Sequence, residues 1–169
     1  FRVVDNNCFD ASERQKEMDA TGVSVQVLST IPVLFNYWAK PKDGWETSRF
    51  FNDHIADTVS KTPDRFIGLG TLPMQDIDLA IQEMERCVTE LKMPGVEMGS
   101  NINGENLGEE KFFPFYKRAA ELNCALFVHP WDMMGQSQMQ KYWLPWLVGM
   151  PAETSRAICS LIFAGVLEK

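Results

Sequence analysis

The sequence predicts an α/β fold of repeated strand–helix units, and three observations carry that reading. Short apolar runs rich in β-branched residues lie near residues 24, 66, 95 and 125, each stopped by Pro, Gly or a polar residue. A helical pattern follows each of them. The strand-to-strand interval is about 30–40 residues, the size of one βα unit. Repeats of that unit imply parallel strands, right-handed crossovers and carboxyl ends gathered on one face. An open doubly wound sheet and a (β/α)8 barrel both fit. Four strands cannot close a barrel, which takes eight, so a barrel here is a partial one.

The elements follow in order. Asp10, with Glu13 three residues on, reads as the N-cap of a helix over 11–20, and Thr21-Gly22 stops it. Residues 23–31 read as a strand, ended by Pro32. A long loop through Phe35, Tyr37, Trp38, Pro41 and Gly44 is unusually aromatic, which predicts that it covers something. Residues 45–62 read as a helix with Phe50, Phe51, Ile55 and Val59 on one side. A strand over 66–72 stops at Pro73. The helix over 76–92 aligns Ile77, Ala80, Ile81, Met84, Cys87, Val88 and Leu91. A short strand at 95–99, a polar loop marked by Gly104 and Gly108, and a helix over 109–122 come next. The apolar run of 124–128 then ends at His129, and Pro130 breaks it. After three tryptophans, Trp131, Trp143 and Trp146, a helix over 152–169 offers Ile158, Leu161, Ile162 and Val166 as its buried stripe.

Composition narrows the function. The 169 residues suffice for one domain with a core, and 45% apolar and 23% charged residues are ordinary for a globular protein. The net charge of −7, without a Lys/Arg cluster, argues against nucleic acid as partner. No apolar run approaches the roughly 20 residues of a membrane helix. The opening Phe1-Arg2-Val3-Val4 has neither an initiator Met nor a signal pattern. Cys8, Cys87, Cys124 and Cys159 are scattered without a CxxC, which fits reduced thiols and a cytosolic, cytoplasmic setting.

His129 is the leading candidate for chemistry. A histidine at the carboxyl end of a buried strand stands where α/β enzymes place their sites. It reads either as a metal ligand or as a core imidazole satisfied by a backbone carbonyl. A catalytic zinc takes three protein ligands, and no HxH or HExxH pattern supplies the others. His54, the second histidine, falls mid-helix and reads as a solvated or half-buried residue. Glu97, Asp53 and Asp132 are the acids within reach, and Glu97 faces either the barrel interior or the helices. Arg2, in an alternating segment, reads from spacing as a solvated edge arginine. Trp143 and Trp146, three apart, share a helix face as core packing or as an aromatic wall for a planar substrate.

Several motifs in order carry a resemblance. Phe1-Arg2-Val3-Val4, Tyr37-Trp38-Ala39-Lys40-Pro41, Gly68-Leu69-Gly70-Thr71-Leu72-Pro73-Met74, Met84-Glu85-Arg86-Cys87 and Phe127-Val128-His129-Pro130-Trp131-Asp132-Met133 are followed by the run from Lys141 to Thr154. Together, and over essentially the whole chain, they resemble the metal-dependent decarboxylases of the amidohydrolase superfamily. The resemblance implies a partial (β/α)8 TIM barrel, α/β in class, comprising strands two to five with their helices. It implies one Zn2+, of whose ligands only His129, at the end of the fifth strand, falls in this chain. In the family an HxH pair on strand one, an aspartate on strand eight and a base histidine after strand six complete the set, so no catalytic acid–base residue falls here. Arg2 matches an arginine that binds a substrate carboxylate, and Trp146 a tryptophan that lines the pocket. A second arginine comes across the dimer in the family, which implies a homodimer at full length. The implied reaction is non-oxidative loss of CO2 from a small dicarboxylate semialdehyde of the kynurenine pathway. Two rival readings stand beside it: a related decarboxylase of aromatic acids, and an inactive truncated isoform that only pairs with a full-length chain.

Overall fold

The computed structural model describes residues 3–168. Helix α1 (Ala11–Thr21) starts where Asp10 accepts hydrogen bonds from the Ser12 and Glu13 N–H groups at 2.8 and 3.4 Å. Strand β1 (Gln26–Leu28) leads through the aromatic loop to α2 (Pro41–Lys61). Strand β2 (Phe66–Thr71), helix α3 (Ile77–Thr89) and strand β3 (Gly95–Gly99) follow. A small hairpin, β4 (Asn101–Ile102) and β5 (Glu105–Asn106), precedes α4 (Phe113–Glu121). Strand β6 (Ala125–His129) and helix α5 (Met150–Phe163) close the order.

The main sheet has the order β1-β2-β3-β6, and every neighbouring pair is parallel. This is the curled half-barrel that the βα repeats predict. Side chains alternate across it. Phe66, Gly68, Val96 and Met98 face the helices, where Ile55, Met84, Cys87, Phe112 and Phe115 complete the core. Val27, Ile67, Thr71, Glu97, Phe127 and His129 share the opposite, inward face, as the paired register requires.

Helices α2 and α3 are pinned to the sheet by polar groups as well as apolar ones. Asn52, fully buried on α2, accepts from the Thr71 N–H at 2.7 Å and donates to the Thr71 carbonyl at 3.0 Å. Those groups lie past the last pair of the β1–β2 ladder, Leu28↔Gly68. Asn52 also donates to Glu83 at 2.7 Å, and Arg86 bridges Glu83 and Asp53 at 2.7 and 2.6 Å. Burying Glu83 is tolerable only because its charge is paired and hydrogen-bonded.

Four expectations are corrected. Strand β1 spans three residues rather than 23–31. The Arg65 guanidinium takes the Ser24 and Val23 carbonyls at 2.9 and 3.3 Å, so they are not offered to a ladder. Helix α2 begins four residues early, because Pro41 fits its first turn and Gly44 packs against Gln75. The polar loop contains the β4–β5 hairpin, whose turn residues Asn103 and Gly104 both have positive φ, 51° and 85°. The final helix stops at Phe163, and its core face carries Glu153, Ala157 and Leu161. Ile158 and Ile162 are half exposed, and Val166 lies in a separate 3-10 turn. The Ser160 hydroxyl accepts from the Gly108 N–H at 2.7 Å, which fixes the helix in this rotation. Lys169 lies outside the described residues.

The inward face of the half-barrel leaves apolar side chains open to solvent: Val27, Ile67 and Phe127 are 57%, 39% and 49% exposed. Strands β1 and β6 each have one unpaired side among the described residues. Unpaired strand edges beside exposed apolar surface drive association. Expressed alone, the chain is expected to elute from size-exclusion chromatography with light scattering as dimers or larger species. A monodisperse monomer with a cooperative melt would contradict this.

Candidate active site at the carboxyl ends of the strands

Strand β6 delivers His129 to the carboxyl end of the sheet, paired with Gly99. Its Nδ1 lies 2.8 Å from the Pro130 carbonyl oxygen. A carbonyl only accepts, so Nδ1 carries the proton, and in the neutral ring Nε2 keeps a free lone pair. That is the tautomer of a metal-binding imidazole whose second nitrogen is tied to a backbone carbonyl. The ring is half-buried, with the Phe127 ring edge-on at 6.4 Å. The two readings of His129 therefore meet: the carbonyl satisfies one nitrogen and leaves the other available.

The aromatic loop covers the neighbouring strand end. Tyr37 accepts from the Gly99 N–H at 2.9 Å through its hydroxyl, and Phe35 stacks on Tyr37 at 5.3 Å between ring centres. Trp131 meets Phe35 edge-on at 5.7 Å. A Cβ on Gly99 would stand 3.1 Å from the Tyr37 ring and 3.3 Å from the Trp131 Cβ, so the cover packs tightly against a residue without a side chain. Burial pushes the Tyr37 phenol well above its usual range, so it stays protonated. Trp38, in the same loop, is exposed.

Glu97 faces the barrel interior and is 1% exposed. It sits two residues before Gly99, hence about 7 Å below the level of His129 at the rise of a strand. Burial raises its carboxyl to about 7, against the lowering effect of a hydrogen bond from Ser29. Glu97 Oε2 and the Thr71 hydroxyl, neighbours across the β2–β3 register, have no hydrogen-bond partner among the described residues.

The other candidates separate. Trp146 is 47% exposed, in a π-helical turn, Pro145–Gly149, that leads into α5. Trp143 precedes that turn with φ of 58°, so the two do not share a helix face, although their rings touch at 4.8 Å. The turn docks on the loop after His129, since Gly149 packs against Met133 and Met139. His54 is exposed on α2, and Asp53 is engaged with Arg86. Asp132 has φ of 44° and accepts from Gln136 at 2.9 Å. Arg2 lies outside the described residues. The buried thiols Cys87 and Cys124 are held protonated, the latter pushed up to about 11 by burial, and so are poor ligands. Among the described residues no three His, Cys, Asp or Glu side chains converge as a metal centre. The donor chemistry at His129 thus fits one ligand of a larger set.

Glu97 makes the stability pH-dependent. Its folded value, about 7, lies above its ordinary 4.5, so the folded state binds the extra proton. The contribution is complete below 4.5 and is lost as pH rises through about 7, up to about 3 kcal/mol. In metal-free protein, Glu97→Gln is expected to remove that slope in urea denaturation at pH 5 and pH 8. An unchanged slope would contradict the assignment.

Comparison with known proteins agrees with this fold. The family model described as Amidohydrolase matches residues 3–169. The 2-amino-3-carboxymuconate-6-semialdehyde decarboxylase of Dictyostelium discoideum is 53% identical over 169 residues, all of this chain and 47% of that protein. The chain therefore spans about half the length of this relative. A solved 2,6-dihydroxybenzoate decarboxylase from Rhizobium superposes with a TM-score of 0.87 at 25% identity, covering 99% of this chain and 54% of the other. A dihydroxybenzoic acid decarboxylase from Polaromonas, solved with bound manganese and the inhibitor 2-nitroresorcinol, gives 0.81 at 26% identity, covering 94% and 51%. The motifs, the parallel half-barrel and the match along residues 3–169 converge: the chain belongs to the amidohydrolase family.

Proposed function

We propose that this chain is barrel strands two to five of a zinc-dependent, non-oxidative decarboxylase of 2-amino-3-carboxymuconate 6-semialdehyde, in the kynurenine route of tryptophan degradation. The observation that carries the reading is the His129 imidazole, at a parallel strand's carboxyl end with Nδ1 tied to Pro130, in a chain 53% identical to a decarboxylase of that substrate. The cytosol is the proposed location and a homodimer the proposed assembly of the complete protein. No helix among the described residues is long and apolar enough to cross a membrane.

In this reading His129 Nε2 is one protein ligand of the metal, and the HxH pair, aspartate and base histidine come from the rest of the barrel. A divalent zinc held by His129 and those ligands would supply Lewis acidity at the site. This chain's part is to bind and orient. Arg2 is assigned to a substrate carboxylate, because a guanidinium can offer such a group two parallel N–H donors. Trp146 supplies an aromatic face beside a planar, conjugated substrate. The Phe35–Tyr37–Trp131 cover keeps water from the end of β3. The reacting C–C bond breaks to release CO2, and a proton takes the place of the lost carboxylate.

A second reading, a decarboxylase of hydroxylated aromatic acids, is favoured by the 0.87 superposition on a 2,6-dihydroxybenzoate decarboxylase. Turnover of the two substrate classes by the complete protein separates them.

In the complete protein, His129→Ala is expected to lose both bound zinc and activity, measured by metal analysis and CO2 release. Full zinc occupancy in a folded variant would overturn the ligand assignment.

Arg2→Lys keeps the charge but loses the paired geometry, roughly 1–3 kcal/mol, and should raise KM about tenfold or more with metal content unchanged. Trp146→Ala should shift KM in the same direction. Substrate affinity like that of the unaltered protein in both variants would refute the pocket assignment.

A further inference from the structure

We propose that Glu153 is a positioning residue for the His129 imidazole, a reading that rests on His129 being a metal ligand. Glu153 lies in the first turn of α5, on the helix layer, and is 0% exposed. Its Oε1 accepts from the Ser100 hydroxyl at 3.1 Å and from the Asn101 side-chain amide at 3.0 Å, and pairs with the Arg156 guanidinium. Its Oε2 accepts from the Met134 N–H at 3.3 Å. One buried carboxylate thus joins the segment after β3 to the loop after β6.

Those contacts continue to the imidazole. The Ser100 N–H donates to the His129 carbonyl at 2.9 Å. The Ser100 hydroxyl accepts from the Trp131 N–H at 3.0 Å, and the Asn101 amide donates to the Trp131 carbonyl at 2.7 Å. Residues 129 and 131 are therefore clamped on both sides of Pro130, whose carbonyl holds His129 Nδ1 at 2.8 Å. The clamp depends on an acceptor-only group at 153. The Ser100 hydroxyl proton faces Oε1 at 3.1 Å and the Trp131 carbonyl at 3.3 Å, and its lone pairs accept from the Trp131 N–H. With one Asn101 N–H on Oε1, the other is aimed at Trp131, while Asn101 Oδ1 accepts from the Gly104 N–H at 3.0 Å. An amide at 153 has one acceptor oxygen and no charge: with that oxygen on Ser100 and Asn101 it points an N–H at the N–H of Met134 and gives up the ion pair with Arg156, and turned over it points that N–H at the Ser100 and Asn101 donors themselves. A helix-pinning role alone would need none of this aim at the His129–Trp131 segment.

The test uses the complete protein and three readouts: thermal stability, zinc affinity by chelator competition, and the His129 Nδ1–H resonance in the metal-free form. Glu153→Gln is expected to keep the fold, to weaken zinc binding by about tenfold or more, and to broaden or lose the Nδ1–H resonance. Ser100→Ala, which breaks the same chain without unpairing the buried carboxylate, is expected to move both site readouts in the same direction. It keeps the proposal open to test if Glu153→Gln does not fold. Glu153→Asp is expected to recover part of the affinity. Zinc affinity within twofold of the unaltered protein, with a sharp Nδ1–H signal, in the folded variants would overturn the positioning role. His129→Ala separates the two claims: retention of zinc there sinks the ligand assignment, whereas loss of zinc there with an unaffected Glu153→Gln sinks only the role of Glu153.

Discussion

The pairing of β3 with β6 over five residues, Gly95↔Ala125 to Gly99↔His129, sets the place of everything at the site. Parallel strands bring their carboxyl ends to one side, so the last residue of β6 and the last residue of β3 arrive together. Because β3 ends in glycine there, the Tyr37 ring and the Trp131 Cβ pack close against the strand end. A slip of one residue would turn His129 toward the helices and bring Val128 to the inward face. The register thus decides whether this chain has a site at all.

Polar side chains rather than apolar bulk then lock the sheet's carboxyl end to its surroundings. Asn52 occupies the Thr71 backbone where β1 has ended, and Glu153 gathers the segments after β3 and β6. Both are fully buried and fully engaged, so replacing either with an apolar residue leaves buried donors unpaired, at roughly 1–3 kcal/mol each. Glu97 is the contrasting case, a buried carboxyl with a free oxygen on the inward face. Its raised proton affinity is the consequence of burial, with no countercharge beside it among the described residues.

What was legible in the sequence followed from periodicity and from chain breakers. Strands β2, β3 and β6 read well because, Glu97 and the terminal His129 apart, the residues on both sides of each are apolar or small and Pro or Gly marks their ends. The position of His129 at a strand end was visible for the same reason. Strand β1 was over-extended because valines at 23, 25 and 27 alternate, while the claim of Arg65 on the local carbonyls is a tertiary contact from 41 residues away. The face of α5 was misjudged because Ile158 and Ile162 advertise a stripe, whereas Glu153 and Ser160 hold the buried side by hydrogen bonds. An acid in the first turn of a helix ordinarily complements the helix dipole in solvent, so Glu153 carried no signal of its role. The ligand assignment of His129 and the pocket roles of Arg2 and Trp146 came from resemblance, not from pattern.

The central claim is that these residues hold one part of a metal site whose remaining ligands lie elsewhere in the fold. Zinc stoichiometry and decarboxylase turnover, measured side by side on the 169-residue chain and on the complete protein, test it most directly. The account predicts one zinc per chain with turnover in the complete protein, and neither in the 169-residue chain, because a single imidazole does not hold a catalytic zinc. One tightly bound zinc and measurable turnover in the 169-residue chain would contradict it.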